Sequence, residues 1–169
     1  MSLLLNGAKT VTIAGTVMQC VEIYTGEAYT MPFSFTDSTG NAVNCTGWTL
    51  GTTANFYTAD TVSYNASNTV VTIGNLTLDA PQPSTGAGTY SANLTATFTS
   101  ASTGVGYLYV PSNLTGGTGS PNATPVITLA NSTSNTHIVV ITMSVTRTDP
   151  ISSKPDISRE PIGIIVRYQ

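Results

Sequence analysis

Charge is what this sequence has least of. Only 8% of its 169 residues are Asp, Glu, Lys or Arg, against about 25% in an average soluble domain. Net charge is −3, and four of the five basic residues (Arg147, Lys154, Arg159, Arg167) fall in the C-terminal stretch. No basic cluster is present to release counterions from a phosphate backbone, so a nucleic-acid partner is not expected. A single histidine, His137, leaves little material for a His-based metal site or triad. Leading an apolar run, it reads as a satisfied strand-end residue. Two cysteines, Cys20 and Cys45, are fewer than small secreted scaffolds use, and read as free buried thiols.

No apolar run approaches the roughly 18 residues of a spanning helix, so no membrane is expected. The opening Met1–Lys9 holds three leucines but no basic n-region, and its apolar core is short for a secretory signal. Seven Asn-x-Ser/Thr sequons, at Asn44, Asn65, Asn75, Asn93, Asn113, Asn122 and Asn131, therefore read as chance products of an Asn-, Ser- and Thr-rich chain rather than glycan sites. Nucleotide-loop, nucleophile-elbow and zinc-helix motifs are missing. The eight carboxylates include Asp37 and Asp79 in turn contexts. No catalytic residue, metal or cofactor is expected, and the chain reads as a binding and assembly protein rather than an enzyme.

What fills the space left by charge is Thr, Ser, Asn and Gly. Threonine suits a half-buried pleated surface, and the others build turns. The clearest strand is Tyr29–Thr36, with Tyr29, Met31, Phe33 and Phe35 on one face. Pro32 puts it at an edge, or leaves its N–H side free there. Asp37–Asn41 reads as a tight turn. Strands are expected over Trp48–Tyr57 (broken by Gly51), Thr61–Tyr64, Val70–Leu78 with a bulge or bend at Gly74-Asn75, Tyr90–Phe98, Val105–Val110, His137–Thr148 and Ile162–Tyr168. Asp79–Gly88 and Pro111–Pro125 read as loops, and Thr148–Pro161 as a linker. Short strands without helices imply an all-β sandwich or barrel. The chain divides into an N-terminal arm with first strands (1–26), a β-sandwich (27–147), and a linker with C-terminal strand or arm (148–169).

The run Phe33-x-Phe35-x-Asp37-x-x-Gly40-Asn41-x-Val43-x-x-Thr46-Gly47-Trp48 resembles the N-terminal domain of phage upper baseplate proteins. Val70–Ile73 and Gly88-Thr89-Tyr90-Ser91-Ala92 resemble its next strands, and Cys45 stands where that family usually has leucine. The resemblance implies an immunoglobulin-like antiparallel β-sandwich with extended N- and C-terminal arms. It also implies a virion structural protein of the tail or baseplate, assembled in the bacterial host cytoplasm. Partners would be copies of itself, in a homo-oligomer, and other virion proteins.

In that setting the arms would add strands to neighbours, and the expected assembly contacts are Leu3, Leu4, Leu5, Tyr107, Tyr109, Arg147, Arg159, Ile164, Val166 and Arg167. Tyr107 and Tyr109 fit core or subunit contact equally, while Trp48 reads as core. Two other functions share the composition: a capsid decoration protein, and a carbohydrate-binding module in which exposed aromatics among Trp48, Tyr57, Tyr64, Tyr107 and Tyr109 stack on glycans.

Overall fold

The computed structural model describes residues 1–24, 26–67, 70–78, 94–112, 136–149 and 151–167. Among these, ten strands follow one another: β1 (Ser2–Leu5), β2 (Lys9–Ile13), β3 (Thr16–Tyr24), β4 (Tyr29–Thr36), β5 (Thr49–Tyr64), β6 (Val70–Leu78), β7 (Thr95–Ser100), β8 (Val105–Val110), β9 (Thr136–Thr148) and β10 (Pro155–Arg167). One 3-10 turn, Ala101–Thr103, links β7 to β8. The expected loop over 79–88, most of that over 111–125, and the Gly88–Ala92 part of the resemblance lie outside the described residues, as do the sequons at Asn93, Asn113, Asn122 and Asn131.

The strands form two bodies. Four make an open sheet in the order β1-β4-β8-β7, and six close into a barrel in the order β10-β3-β2-β6-β5-β9. The all-β expectation holds. Pairing is mixed rather than purely antiparallel, because β10 runs parallel to β3 and β2 runs parallel to β6.

Alternation along the strands explains why there are two cores. Met31, Phe33 and Phe35 of β4 and Leu108 and Val110 of β8 turn towards the barrel wall, where they meet Phe56, Val139, Ile141, Met143, Ile162 and Ile164. The opposite faces of the same barrel strands point inward. Val11, Ile13, Met18, Cys20, Ala59, Ile73, Ile138 and Ile165 fill the barrel interior. Thus β10 is buried on both faces, which accounts for its near-continuous apolar run from Ile162 to Val166. Each fully buried aliphatic or aromatic side chain contributes roughly 1.5–3 kcal/mol. Cys20 and Cys45 are buried and unpaired with each other.

Several expectations are corrected by register. Residues 49–64 form one strand, not two, because Thr58 and Ala59 continue the pairing with β9 and β6; Gly51 does not break it, sitting within the ladder opposite Ser144. At Gly74-Asn75 the bend is present and the bulge is not: Asn75 takes a left-handed φ of 50°, a conformation that asparagine tolerates. Pairing is kept on both sides of it, Ala59 with Leu76 and Thr61 with Gly74. The stretch 148–161 is not a linker: after a turn at Asp149–Lys154, β10 starts at Pro155 and pairs with β9 from Pro155 to Val166. Pro32 lies in an interior strand between β1 and β8. Its carbonyl accepts the Asn6 N–H at 2.9 Å, just past the end of β1, so the side lacking an N–H faces no strand residue.

The two expected arms are likewise parts of this chain's own sheets. β1 pairs with β4, and β10 lies between β9 and β3. The outer edge of β1 is occupied too. The Gln19 side chain accepts the Leu5 N–H through Oε1 at 2.8 Å and donates through Nε2 to the Leu3 carbonyl at 2.5 Å. One amide side chain therefore takes the place of a further strand and blunts the edge.

Candidate interaction face

The four strands of the open sheet carry no charged residue at all: SLLL, YTMPFSFT, TATFTS and VGYLYV. Their inward residues fill the core described above. Their outward residues form rows fixed by register. Thr30, Tyr109 and Thr95 make one row, Pro32, Tyr107 and Thr97 the next, and Leu4, Ser34 and Val105 a third. Leu4 (48%), Val105 (39%) and Tyr109 (37%) are exposed, Pro32 is exposed, and Tyr107 is half-buried. A groove of about 450 Å³ runs beside Leu4, Asn6, Pro32 and Ser34. The result is a flat, uncharged, partly apolar face bordered by threonine hydroxyls, the kind of exposed patch that marks an interaction site.

Three of the ten expected assembly residues, Leu4, Tyr107 and Tyr109, come together here. Leu3 and Leu5 do not, because they alternate with Leu4 and point into the core. Ile164 and Val166 are also core residues, closed to a neighbour while the fold is intact. Arg147 sits elsewhere, its guanidinium 5.7 Å from the Trp48 ring and its Nε donating to Asp156 Oδ2 at 2.7 Å. Arg159 is exposed on the β9–β10 hairpin. Trp48 is half-buried and packs edge-on against Phe35 at 6.3 Å. Pro32, Val105 and the outward threonines were missed. The signal that finds them is the lack of charge in four separate segments, which only register joins into one surface.

Arg167 belongs to a second polar cluster, at one end of the barrel. Lys9, Glu22 and Arg167 follow the inward-facing positions of β2, β3 and β10. Glu22 takes a bond from Lys9 on one oxygen and from Arg167 Nε, at 3.3 Å, on the other. The Arg167 guanidinium lies 5.6 Å from the Tyr64 ring. Burial pushes the Glu22 carboxyl up, but the bonds from Lys9 and Arg167 outweigh it and hold the group below its usual range. The same carboxylate pushes Arg167 up against the effect of burial.

Since the folded value of Glu22 lies below the unfolded one, its stabilisation is present above the unfolded pKa of about 4.3 and is lost as pH falls through the folded value. Glu22→Gln is therefore expected to cost about 1 kcal/mol at neutral pH. It should also flatten the acid limb of a plot of urea midpoint against pH. A variant whose acid limb matches the parent would show that Glu22 does not tie this end together.

Asp37 is a turn builder. Its Oδ1 accepts Thr39 Oγ1 at 2.7 Å and the Asn41 and Thr39 N–H groups at 2.9 Å, bonds that hold the carboxyl down at about 2. His137 is buried at the head of β9, with Nδ1 3.4 Å from Thr58 Oγ1. Among the described residues, no three His, Cys, Asp or Glu side chains gather as a metal site. No helix among them is long and apolar enough to cross a membrane.

No protein-family model matches this chain, and no curated protein matches its sequence at a significant level.

Proposed function

We propose that this chain is a bacteriophage virion structural protein of the tail or baseplate, and that it assembles through the outer face of its open sheet. The observation that carries the reading is the complete lack of charge across that face, with Leu4, Tyr107 and Tyr109 exposed or half-exposed on it. An uncharged face can be covered by a neighbour without desolvating an ion, which suits subunits packed side by side. The resemblance to phage upper baseplate proteins supports the same reading. Its residues form β4, the Asp37 turn and the entry into β5 at Trp48. In this reading the open sheet and the barrel wall facing it correspond to the two layers of an immunoglobulin-like sandwich. The chain acts as a rigid binding part, not a catalyst.

The test is incorporation. Tyr109→Asp, on an exposed position, is expected to keep the parent melting temperature and to reduce the amount of chain in purified particles at least tenfold by quantitative mass spectrometry. Undiminished incorporation would remove the face from assembly, and particles lacking the parent chain would sink the virion reading. Tomography of tagged particles separates a tail position from capsid decoration.

The paired tyrosines among hydroxyl rows also favour a second reading, a face that stacks on neutral glycans. Saturable binding on a glycan array, lost in Tyr107→Ala, would support it.

A further inference from the structure

The open sheet has two edges, and they are finished differently. At β1 the Gln19 amide takes up outward backbone groups. The exposed edge of the barrel, the first half of β10, carries Pro155, Asp156, Arg159, Glu160 and Pro161. β7 has neither device. Thr95–Ser100 reads TATFTS, with no charge and no proline, and among the described residues it pairs with β8 alone. An edge without such protection is a template for another strand.

The open part of this edge is short and bounded. The Thr97 carbonyl lies against Gly106 of β8, so it points into the sheet. Backbone groups alternate between the two sides of an antiparallel strand, which turns those of Ala96 and Phe98 outward. Both ends of this window are closed. The Leu94 carbonyl accepts Thr52 Oγ1 at 2.7 Å, and the Ser100 carbonyl accepts Thr103 Oγ1 at 3.3 Å, past a register shift in the β7–β8 ladder. Thr97 is the midpoint of what remains.

We infer that this edge pairs with β7 of a second copy of this chain, antiparallel about a two-fold axis at Thr97. Three observations select that occupant. First, the window fits the axis. Ala96 comes opposite the partner's Phe98, and Phe98 opposite the partner's Ala96, and each such pair exchanges two backbone bonds. An axis at Ala96 or at Phe98 would instead call on Leu94 or Ser100, whose carbonyls are taken. Second, the side chains of TATFTS match their own reverse in this register. On the inner face small Ala96 meets large Phe98 on both sides of the axis. On the outer face Thr95 meets Thr99 and Thr97 meets itself, the cross-strand threonine pairs that hydrogen-bond. Third, the core is open here. Ala96 and Phe98 pack against it yet stay half-buried, although the Phe98 ring stands 6.0 Å from Phe33 and 6.1 Å from Phe35. A partner strand covers both.

The contact is isologous, so it closes at a dimer. The axis stands perpendicular to the sheet, which brings the two uncharged outer faces to the same side of one continuous sheet. It uses the edge of the sheet, not its outer face, and is independent of the virion reading.

Cross-linking of the purified chain tests the register. Across the axis two residues 97 would lie ~4.5 Å apart at Cα, inside the roughly 4.4–6.8 Å that a disulfide spans. With oxidised glutathione, Thr97→Cys should become a disulfide-linked dimer. Thr95→Cys, which faces the partner's Thr99, should cross-link roughly tenfold more slowly. Cys20 and Cys45 are buried and serve as the background. In sedimentation the parent is expected to dimerise with a dissociation constant on the order of 0.1 mM, at the weak end for so small a contact. Ala96→Pro removes an outward N–H and leaves the β8 ladder intact. Thr97→Lys, at an exposed position, sets like charges face to face. Each should raise the constant about tenfold or more, and Thr97→Lys decides the matter if Ala96→Pro lowers the melting temperature. Thr97→Lys mixed with Thr97→Glu should regain the dimer, and Tyr109→Asp, on the outer face, should dimerise like the parent. A parent that stays monomeric to about 1 mM would overturn the contact. So would equal cross-linking at 95 and 97, a Thr97→Lys chain that dimerises like the parent, a mixture that stays monomeric, or loss of the dimer in Tyr109→Asp. Incorporation into particles is read separately, so either reading can fail while the other stands.

Discussion

Gly163→Val should be among the most damaging single substitutions in this chain, costing about 3 kcal/mol through overpacking. Position 163 faces the barrel interior between Ile162 and Ile164, which face the other core. A Cβ there would lie 2.4 Å from Cys20 Sγ, 2.9 Å from Ile13 Cδ1 and 3.4 Å from Met18 Sδ. The sulfur is the hard obstacle, because Cys20 is the direct partner of Gly163 in the parallel β3–β10 pairing. The two backbones cannot separate without opening the barrel. Urea unfolding should show a lowered midpoint. Cys20→Ala removes the sulfur, so Gly163→Ala placed on that background should recover at least half of the loss seen for Gly163→Ala alone. A parent-like midpoint for Gly163→Val would mean that the interior is far looser than its side chains indicate.

Phe35→Ala is expected to be comparably severe, at about 3–5 kcal/mol. Phe35 is fully buried and sits among Phe33, Trp48 and Phe98 with ring centroids 5.6–6.3 Å apart. Removing it empties the junction where β4, β7 and the start of β5 meet. Little backbone there can collapse into the space, because Gly104 already brings the chain close. A Cβ on Gly104 would meet the Val43 carbonyl oxygen at 2.7 Å. The fall in Tm should be roughly 10 °C or more. A drop of only a few degrees would show that the sheet is attached to the barrel chiefly by other residues.

How much of this was legible beforehand depends on how local the signal is. The face of Met31, Phe33 and Phe35 followed from alternation alone, and the Asp37 turn from residue type. The two-sided start of β9 was also visible, with Ile138 inside the barrel and Val139 against the sheet. Barrel closure was not. Its parallel seam joins Gln19–Tyr24 to Ile162–Arg167, and nothing within a short window records so distant a partner. The first half of β10 was hidden because Pro155, Asp156, Arg159, Glu160 and Pro161 look like a linker. In the structure they form an edge that carries prolines and charges, as unpaired edges do. The candidate face was half legible. Tyr107 and Tyr109 stand out by type, but Leu4 could be told from Leu3 and Leu5 only once the β1–β4 register was known.

The seam between β3 and β10 also dictates when the fold can form. During synthesis the first three strands leave the ribosome early, yet their partner on one side is not made until residues 162–167 appear. Until then β3 has only β2 beside it, and the interior around Val11, Ile13 and Cys20 stays open to water. Such dominance of long-range pairing slows folding towards the millisecond-to-second range. Closure of the barrel therefore waits until residues 162–167 have been made.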